Sequence, residues 1–155
     1  ETLFDDISKR KYTNQFKGFN CRMDEFQASA LHLKLNAYKT QLKKRQKIAN
    51  NYLKNILNEK IKLPIVPKDQ KPAWHLFVVL VENRKKFQDY LLENRIQSMV
   101  HYPIPPHKQQ AYKEWNKLNF KITEKIHRQV VSIPLYPELS KADQSKIIKT
   151  LNSYE

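Results

Sequence analysis

The tetrapeptide Asp24-Glu25-Phe26-Gln27 constrains the architecture of this chain more than any other feature, because it has the form of a capping box heading the longest helical pattern in 155 residues. An Asp24 carboxylate accepting from the Gln27 N–H starts a helix at about Glu25. Phe26, Ala30, Leu31, Leu33 and Leu35 then supply an apolar face, with Ala28 small enough for close approach. A second run holds Leu42, Ile48, Ala49, Tyr52, Leu53, Ile56 and Leu57. The runs drift out of phase near Asn36-Ala37, which predicts two helices or one bent helix over residues 25 to 58, with these apolar positions packed in a core. Just upstream stands Gly18, the only glycine in the chain, so the backbone can take positive φ without steric cost two residues before Asn20. The reading is a tight bend with a polar tip. Asn20 and Arg22 then lie next to the positive end of the helix, where free N–H groups favour an anion such as phosphate. An ordinary loop and cap with a solvated Arg22 accounts for the same residues.

The rest of the chain changes period. Prolines 64, 67 and 72 end the helical layer, since proline lacks the N–H a helix needs. Trp74-His75-Leu76-Phe77-Val78-Val79-Leu80-Val81 is too continuously apolar for a one-sided strand and predicts a central strand with both faces at least partly covered. Asn83 caps a helix over 84 to 93 whose Phe87, Tyr90, Leu91 and Leu92 face the sheet. Residues 96 to 102 form a second strand, and 109 to 115 a short helical turn. Thr123 caps 124 to 129, residues 130 to 135 form a third strand, and Ser140 with Asp143 opens a last amphipathic helix. The fold class is α+β in one domain: a long N-terminal helical segment over 25 to 58, then a small three-stranded sheet with helices packed on it over 73 to 155. Residues 1 to 23 read as a loop, basic and polar at Lys9-Arg10-Lys11-Tyr12.

The formal net charge of +14 raises nucleic acid as a partner, through a helix face bearing Lys43, Lys44, Arg45 and Lys47. Against it, the cations are spread along the whole chain and accompany a general richness in Asn and Ile. One cysteine, Cys21, excludes an internal disulfide and a cysteine-based metal cluster. His101 and His107 stand six apart across three prolines with no acidic residue at ligand spacing, so no metal site is expected. Neither a nucleophile elbow nor a run of about 18 apolar residues occurs, and the first residues lack a signal-peptide pattern. A cytoplasmic location is the default expectation.

Gly18-Phe19-Asn20-Cys21-Arg22-Met23-Asp24-Glu25-Phe26-Gln27-Ala28 resembles the signature of the DegT/DnrJ-type sugar aminotransferases, which use pyridoxal phosphate. Three further stretches follow in the order that family shows: Trp74-His75-Leu76-Phe77, then His101-Tyr102-Pro103-Ile104-Pro105-Pro106-His107, then Ser132-Ile133-Pro134-Leu135-Tyr136-Pro137. The second is most similar to members that aminate the 3-keto position of a dTDP-linked 6-deoxyhexose. The sequence departs from the family pattern at Arg95, where relatives commonly carry the glycine that ends a helix in the left-handed conformation; the fold survives at a small cost unless Asn94 takes that role.

The resemblance implies the small C-terminal domain of a fold-type I aminotransferase, packed beside a large cofactor domain and working as a homodimer with shared active sites. The lysine and aspartate that serve the cofactor belong to that large domain, so the chain alone is expected to be inactive. Asn20 is implied to reach the cofactor phosphate of the partner subunit. Arg22 either orients Asn20, meets a phosphate or carboxylate, or forms a surface ion pair. Lys11 and Tyr12 are implied to contact the sugar pyrophosphate, with solvation as the alternative for the lysine. His101, Tyr102 and His107 are implied to line the sugar-nucleotide pocket. The substrates are then a keto sugar nucleotide and an amino donor such as glutamate, in surface polysaccharide or lipopolysaccharide biosynthesis. Two readings from other classes stand beside this one: a basic helical nucleic-acid-binding module, and a non-catalytic remnant interaction domain.

Overall fold

The computed structural model describes residues 23–155. Helix α1 (Glu25–Asn55) is continuous over 31 residues, about 46 Å at 1.5 Å per residue. Its start follows the local chemistry of the sequence: the Asp24 carboxylate accepts from the Gln27 N–H at 2.8 Å. Only its C-terminal part is in the core, through Ile48, Ala49 and Tyr52. The earlier apolar positions, expected to pack in a core, are exposed, Phe26 at 85% and Leu33 at 70%. Within residues 23–155 nothing packs over this half of the helix, which projects from the domain.

Strands β1 (Phe77–Leu80) and β2 (Val130–Ile133) pair antiparallel in the register Phe77 with Ile133 and Leu80 with Val130. Phe77 and Val79 are buried while Val78 and Leu80 are half-buried, so both faces of β1 are covered to some extent. The expected three-stranded sheet is corrected to two strands among the described residues. Residues 96 to 102 contribute one isolated bridge, Met99 to Ser132, with reciprocal backbone bonds of 3.1 and 2.7 Å. The ladder stops there because the chain bends at His101 and then runs into Pro103, Pro105 and Pro106, none of which has an N–H to donate.

Around the sheet the core is aromatic: Trp74 stacks on Phe77 at 5.3 Å, and the Tyr52 ring meets Phe77 edge-on at 5.2 Å. Each such fully buried large side chain contributes on the order of 1.5–3 kcal/mol. The Tyr52 hydroxyl donates to the Pro134 carbonyl at 2.9 Å, so its burial leaves no polar atom unsatisfied. Burial also holds that hydroxyl protonated well above the ordinary tyrosine range.

Helix α2 (Arg84–Glu93) is capped by Asn83, which accepts from the Lys86 N–H. It buries Phe87 and Leu91, while Leu92, expected to face the sheet, is 68% exposed. Its end is a Schellman motif: Ile96 N–H donates to Leu91 O and Arg95 N–H to Leu92 O, each at 2.8 Å. Arg95 itself, not Asn94, takes the left-handed conformation at φ 59°, at a cost of about 1–2 kcal/mol for a residue with a Cβ. Two 3₁₀ turns, Pro106–Lys108 and Gln110–Trp115, lead to α3 (Lys121–Gln129). That helix starts before Thr123, the expected cap; Phe120 occupies the cap position and the Glu124 carboxylate reaches back to its N–H at 3.3 Å. Helix α4 (Lys141–Asn152) opens at Ser140, whose hydroxyl oxygen accepts from the Asp143 N–H at 3.0 Å. No helix of the described residues is long and apolar enough to cross a membrane.

Candidate functional site

Beside the sheet, between the segment 95 to 101 and the run from β2 into α4, lies a cavity of about 470 Å³. Its buried surface is apolar, formed by Ile96, Ile133, Leu135, Leu139 and Ile147. Ser132 and His101 supply polar wall, hydrogen-bonded to each other through Oγ and Nδ1 at 3.0 Å. Exposed Arg95, Asp143 and Lys146 stand at the opening.

The structure does not bring the three implied substrate residues together on this wall. His101 borders the cavity. Tyr102 is 57% exposed, its ring edge-on to His101 at 5.7 Å, and its carbonyl accepts from His127 Nδ1 at 2.6 Å. That bond fixes the proton of His127 on Nδ1, because a carbonyl can only accept. His107 is 4% exposed and lies outside the cavity lining. Its Nε2 donates to the Glu124 carboxylate at 2.9 Å, and its ring meets Phe120 edge-on at 4.9 Å. This donation, the Phe120 N–H and nearby Lys108 hold the Glu124 carboxyl below its usual range, against a partial desolvation that raises it. His107 thus ties the proline segment to α3.

Lys11, Tyr12, Asn20 and Arg22 lie outside the described residues. The start of α1 does bear on them, since Asp24 occupies the Gln27 N–H with its own carboxylate and Glu25 adds a second negative charge. One N–H of the helix start is therefore already met by an acid of its own chain, and two carboxylates lie beside that terminus. As a donor set, an amide and a guanidinium suit a phosphate. Among the described residues there is no group of three or more His, Cys, Asp or Glu placed to hold a metal ion.

Sequence reasoning missed the role of Arg45. Placed by pattern on a basic helix face, its Nη1 instead donates to the carbonyls of Trp74, His75 and Leu135 at 3.1–3.2 Å, fastening α1 to both ends of the strand layer. The available signal was chemical: one arginine stands among lysines at the point where several carbonyls need a forked donor.

Comparison with known proteins decides the family. The model of the DegT/DnrJ/EryC1/StrS aminotransferase family matches residues 4–152. The chain belongs to that family. It is 47% identical over 147 residues, 95% of its length, to the dTDP-3-amino-3,6-dideoxy-alpha-D-galactopyranose transaminase of Aneurinibacillus thermoaerophilus, of which it covers 40%. Among solved structures it is similar to S. venezuelae DesV, with a TM-score of 0.78 and 31% identity, covering 92% of this chain and 39% of that one. It is also similar to ntda from Bacillus subtilis, a structure with bound cofactor PMP, with a TM-score of 0.72 and 28% identity over 86% of this chain and 33% of that one. The chain thus spans about 40% of the length of the curated relatives it matches. The DegT/DnrJ aminotransferases are pyridoxal-phosphate-dependent, and the mixed helix and strand content is that of these neighbours.

Proposed function

We propose that this DegT/DnrJ family chain is the C-terminal domain of an aminotransferase that converts a dTDP-linked 3-keto-6-deoxyhexose to the amino sugar, with glutamate as amino donor. The observation that carries this reading is the 47% identity, over 95% of the chain, to a relative named for a dTDP-3-amino-3,6-dideoxy sugar. The cytoplasmic homodimer, the shared active sites and the use of the product in surface polysaccharide or lipopolysaccharide synthesis belong to the same proposal.

Bound pyridoxal phosphate supplies the electron sink that lets a substrate carbon exchange its proton. The residues of this chain bind and orient around it. Asn20 donates its amide to the phosphate, and Arg22 holds Asn20 or the phosphate itself. Lys11 and Tyr12 neutralise and hydrogen-bond the sugar pyrophosphate. His101, oriented by its Nδ1 contact with Ser132, faces the sugar from the cavity wall, with Tyr102 beside it. His107, locked to Glu124, holds the proline segment in place behind them. The lysine and aspartate that serve the cofactor lie in a large domain outside this chain.

The test is made on the longest reading frame that contains this chain, purified and supplied with pyridoxal phosphate, glutamate and the dTDP-3-keto sugar. Formation of the amino sugar is the expected result. In that protein Asn20→Ala weakens cofactor retention by about 1.5–3 kcal/mol, the worth of one charge-assisted hydrogen bond, read from the visible absorption of bound cofactor during titration. Unchanged retention would remove Asn20 from the phosphate site. A histidine in place of the family's cofactor lysine would point to the related sugar dehydratases. The nucleic-acid reading loses support from the structure, because Arg45 is spent on three carbonyls and leaves lysines alone on that face.

A further inference from the structure

His101 and Tyr102, the wall that meets the sugar in the proposed reading, stand where backbone pairing gives out. Met99 exchanges backbone bonds with Ser132 at 3.1 and 2.7 Å, and three of the residues that follow, Pro103, Pro105 and Pro106, have no N–H with which to extend the ladder. Side chains from the junction of α3 and β2 reach the wall there. Ser132 Oγ lies 3.0 Å from His101 Nδ1, and His127, five residues before Ser132, donates from Nδ1 to the Tyr102 carbonyl at 2.6 Å. Two residues of one junction thus hold two successive residues of the wall, the first by its side chain and the second by its backbone.

His127 is itself braced. It stands in the last turn of α3, and its carbonyl accepts from Arg84 Nη1, in the first turn of α2, at 2.6 Å. A guanidinium at the C-terminal end of a helix meets the negative end of the dipole. Burial holds the Arg84 guanidinium below the ordinary arginine range, so its charge is kept at a cost. Neither Arg84 nor His127 borders the cavity, so any effect of theirs on a ligand passes through the wall.

From this arrangement we infer that His127, braced by Arg84, is a positioning residue for the sugar end of the substrate: its Nδ1–H fixes the backbone at Tyr102, and with it the direction of the His101 and Tyr102 side chains. The inference rests on the aminotransferase reading above. It gives His127 a share in sugar affinity and none in the exchange with the amino donor.

The test uses the longest reading-frame protein supplied with pyridoxal phosphate. His127→Ala is expected to raise KM for the dTDP-3-keto sugar about tenfold, and to weaken binding of the dTDP-linked amino sugar in calorimetry by the same factor, with kcat within about twofold of the parent. Affinity for dTDP, which lacks the sugar, and the visible absorption change on adding glutamate alone are expected to match the parent. A general loss of structure would move all four together. His127→Asn, whose Nδ2 stands near the place of the imidazole Nδ1, is expected to restore most of the affinity, whereas His127→Gln, whose amide reaches further, is not. Arg84→Ala is expected to give a smaller loss of the same kind. Unchanged amino-sugar affinity in His127→Ala would overturn the inference, as would an equal loss of affinity for dTDP. Should the alanine variant fail to fold, equal amino-sugar affinity in His127→Asn and His127→Gln overturns it instead. A parent protein that does not turn over the dTDP-sugar sinks the aminotransferase reading and this inference with it; a parent that does, beside an unchanged His127→Ala, sinks the inference alone.

Discussion

His107 shows how a residue type and its role part company at the scale of one side chain. An imidazole in a proline-rich segment reads as a ligand-binding group, but here it is 4% exposed and spends Nε2 on Glu124, with Phe120 against its ring. The pH dependence follows from its partner. Glu124 is held below its usual pKa first by the His107 bond, so the folded state keeps the carboxylate where the unfolded chain would take up a proton. A depressed folded pKa contributes stability that is fully present above the unfolded value, about 4.3 for glutamate, and is lost as pH falls through the folded one. Thermal unfolding followed from pH 7 to pH 3 should therefore show Glu124→Gln losing less stability on acidification than the parent. Parallel curves would mean that this pair has no part in acid sensitivity. Arg95 is the other residue to note: the sequence located the helix end and the problem it posed, but which of Asn94 and Arg95 turns left-handed depended on the Leu91 to Ile96 pairing of the buried cap.

At the scale of elements, the helix starts at Asp24, Asn83 and Ser140 were legible because a cap is a contact between residues three apart and needs no tertiary information. The shortfall of the strand expected over 96 to 102 was not legible, because apolar content there says nothing about how many bonds form before the prolines intervene. Nor were the asparagines, which read as compositional drift and turn out to join the ends of α1 and α4. Asn58 Nδ2 donates to the carbonyls of Leu151 and Tyr154 at 2.9 and 2.7 Å, and Asn152 takes the Leu57 N–H while donating to Asn55 O. These bonds add partners to groups at the helix ends, the Leu151 carbonyl being shared with the Tyr154 N–H at 3.3 Å. Asn58→Ala should cost about 1–3 kcal/mol in urea unfolding, because it removes the side-chain donor that serves both carbonyls. Asn50→Ala, at an exposed helical position, should stay within about 0.5 kcal/mol of the parent. Equal losses in the two variants would show that the junction is held by packing alone.

For the whole molecule the decisive feature is the half of α1 that the domain leaves uncovered. At 100° per residue, Phe26, Ala30, Leu33 and Ala37 gather on one side, and Ala28, Leu31, Leu35, Tyr38 and Leu42 on another roughly 150° away. All but the half-buried Leu42 are exposed. A surface helix needs one apolar stripe; two on nearly opposite sides suit a helix enclosed between layers. Periodicity located the right element and the wrong surroundings, because it reports that a face is apolar and not which body covers it. In the proposed reading that body is the rest of the aminotransferase, consistent with a chain that spans about 40% of its relatives. The consequence is an asymmetry between the chain alone and the longer protein. In the isolated chain, Leu33→Lys with Leu35→Lys should leave the unfolding free energy within about 0.5 kcal/mol, since neither side chain is in the core, and should reduce concentration-dependent association in sedimentation. In the longest reading-frame protein the same pair should destabilise by at least about 2 kcal/mol per site, the cost of losing a buried leucine and enclosing an ammonium. Equal effects in the two settings would mean that both stripes face solvent in the longer protein too, and that α1 is not the element through which the domain is built into it.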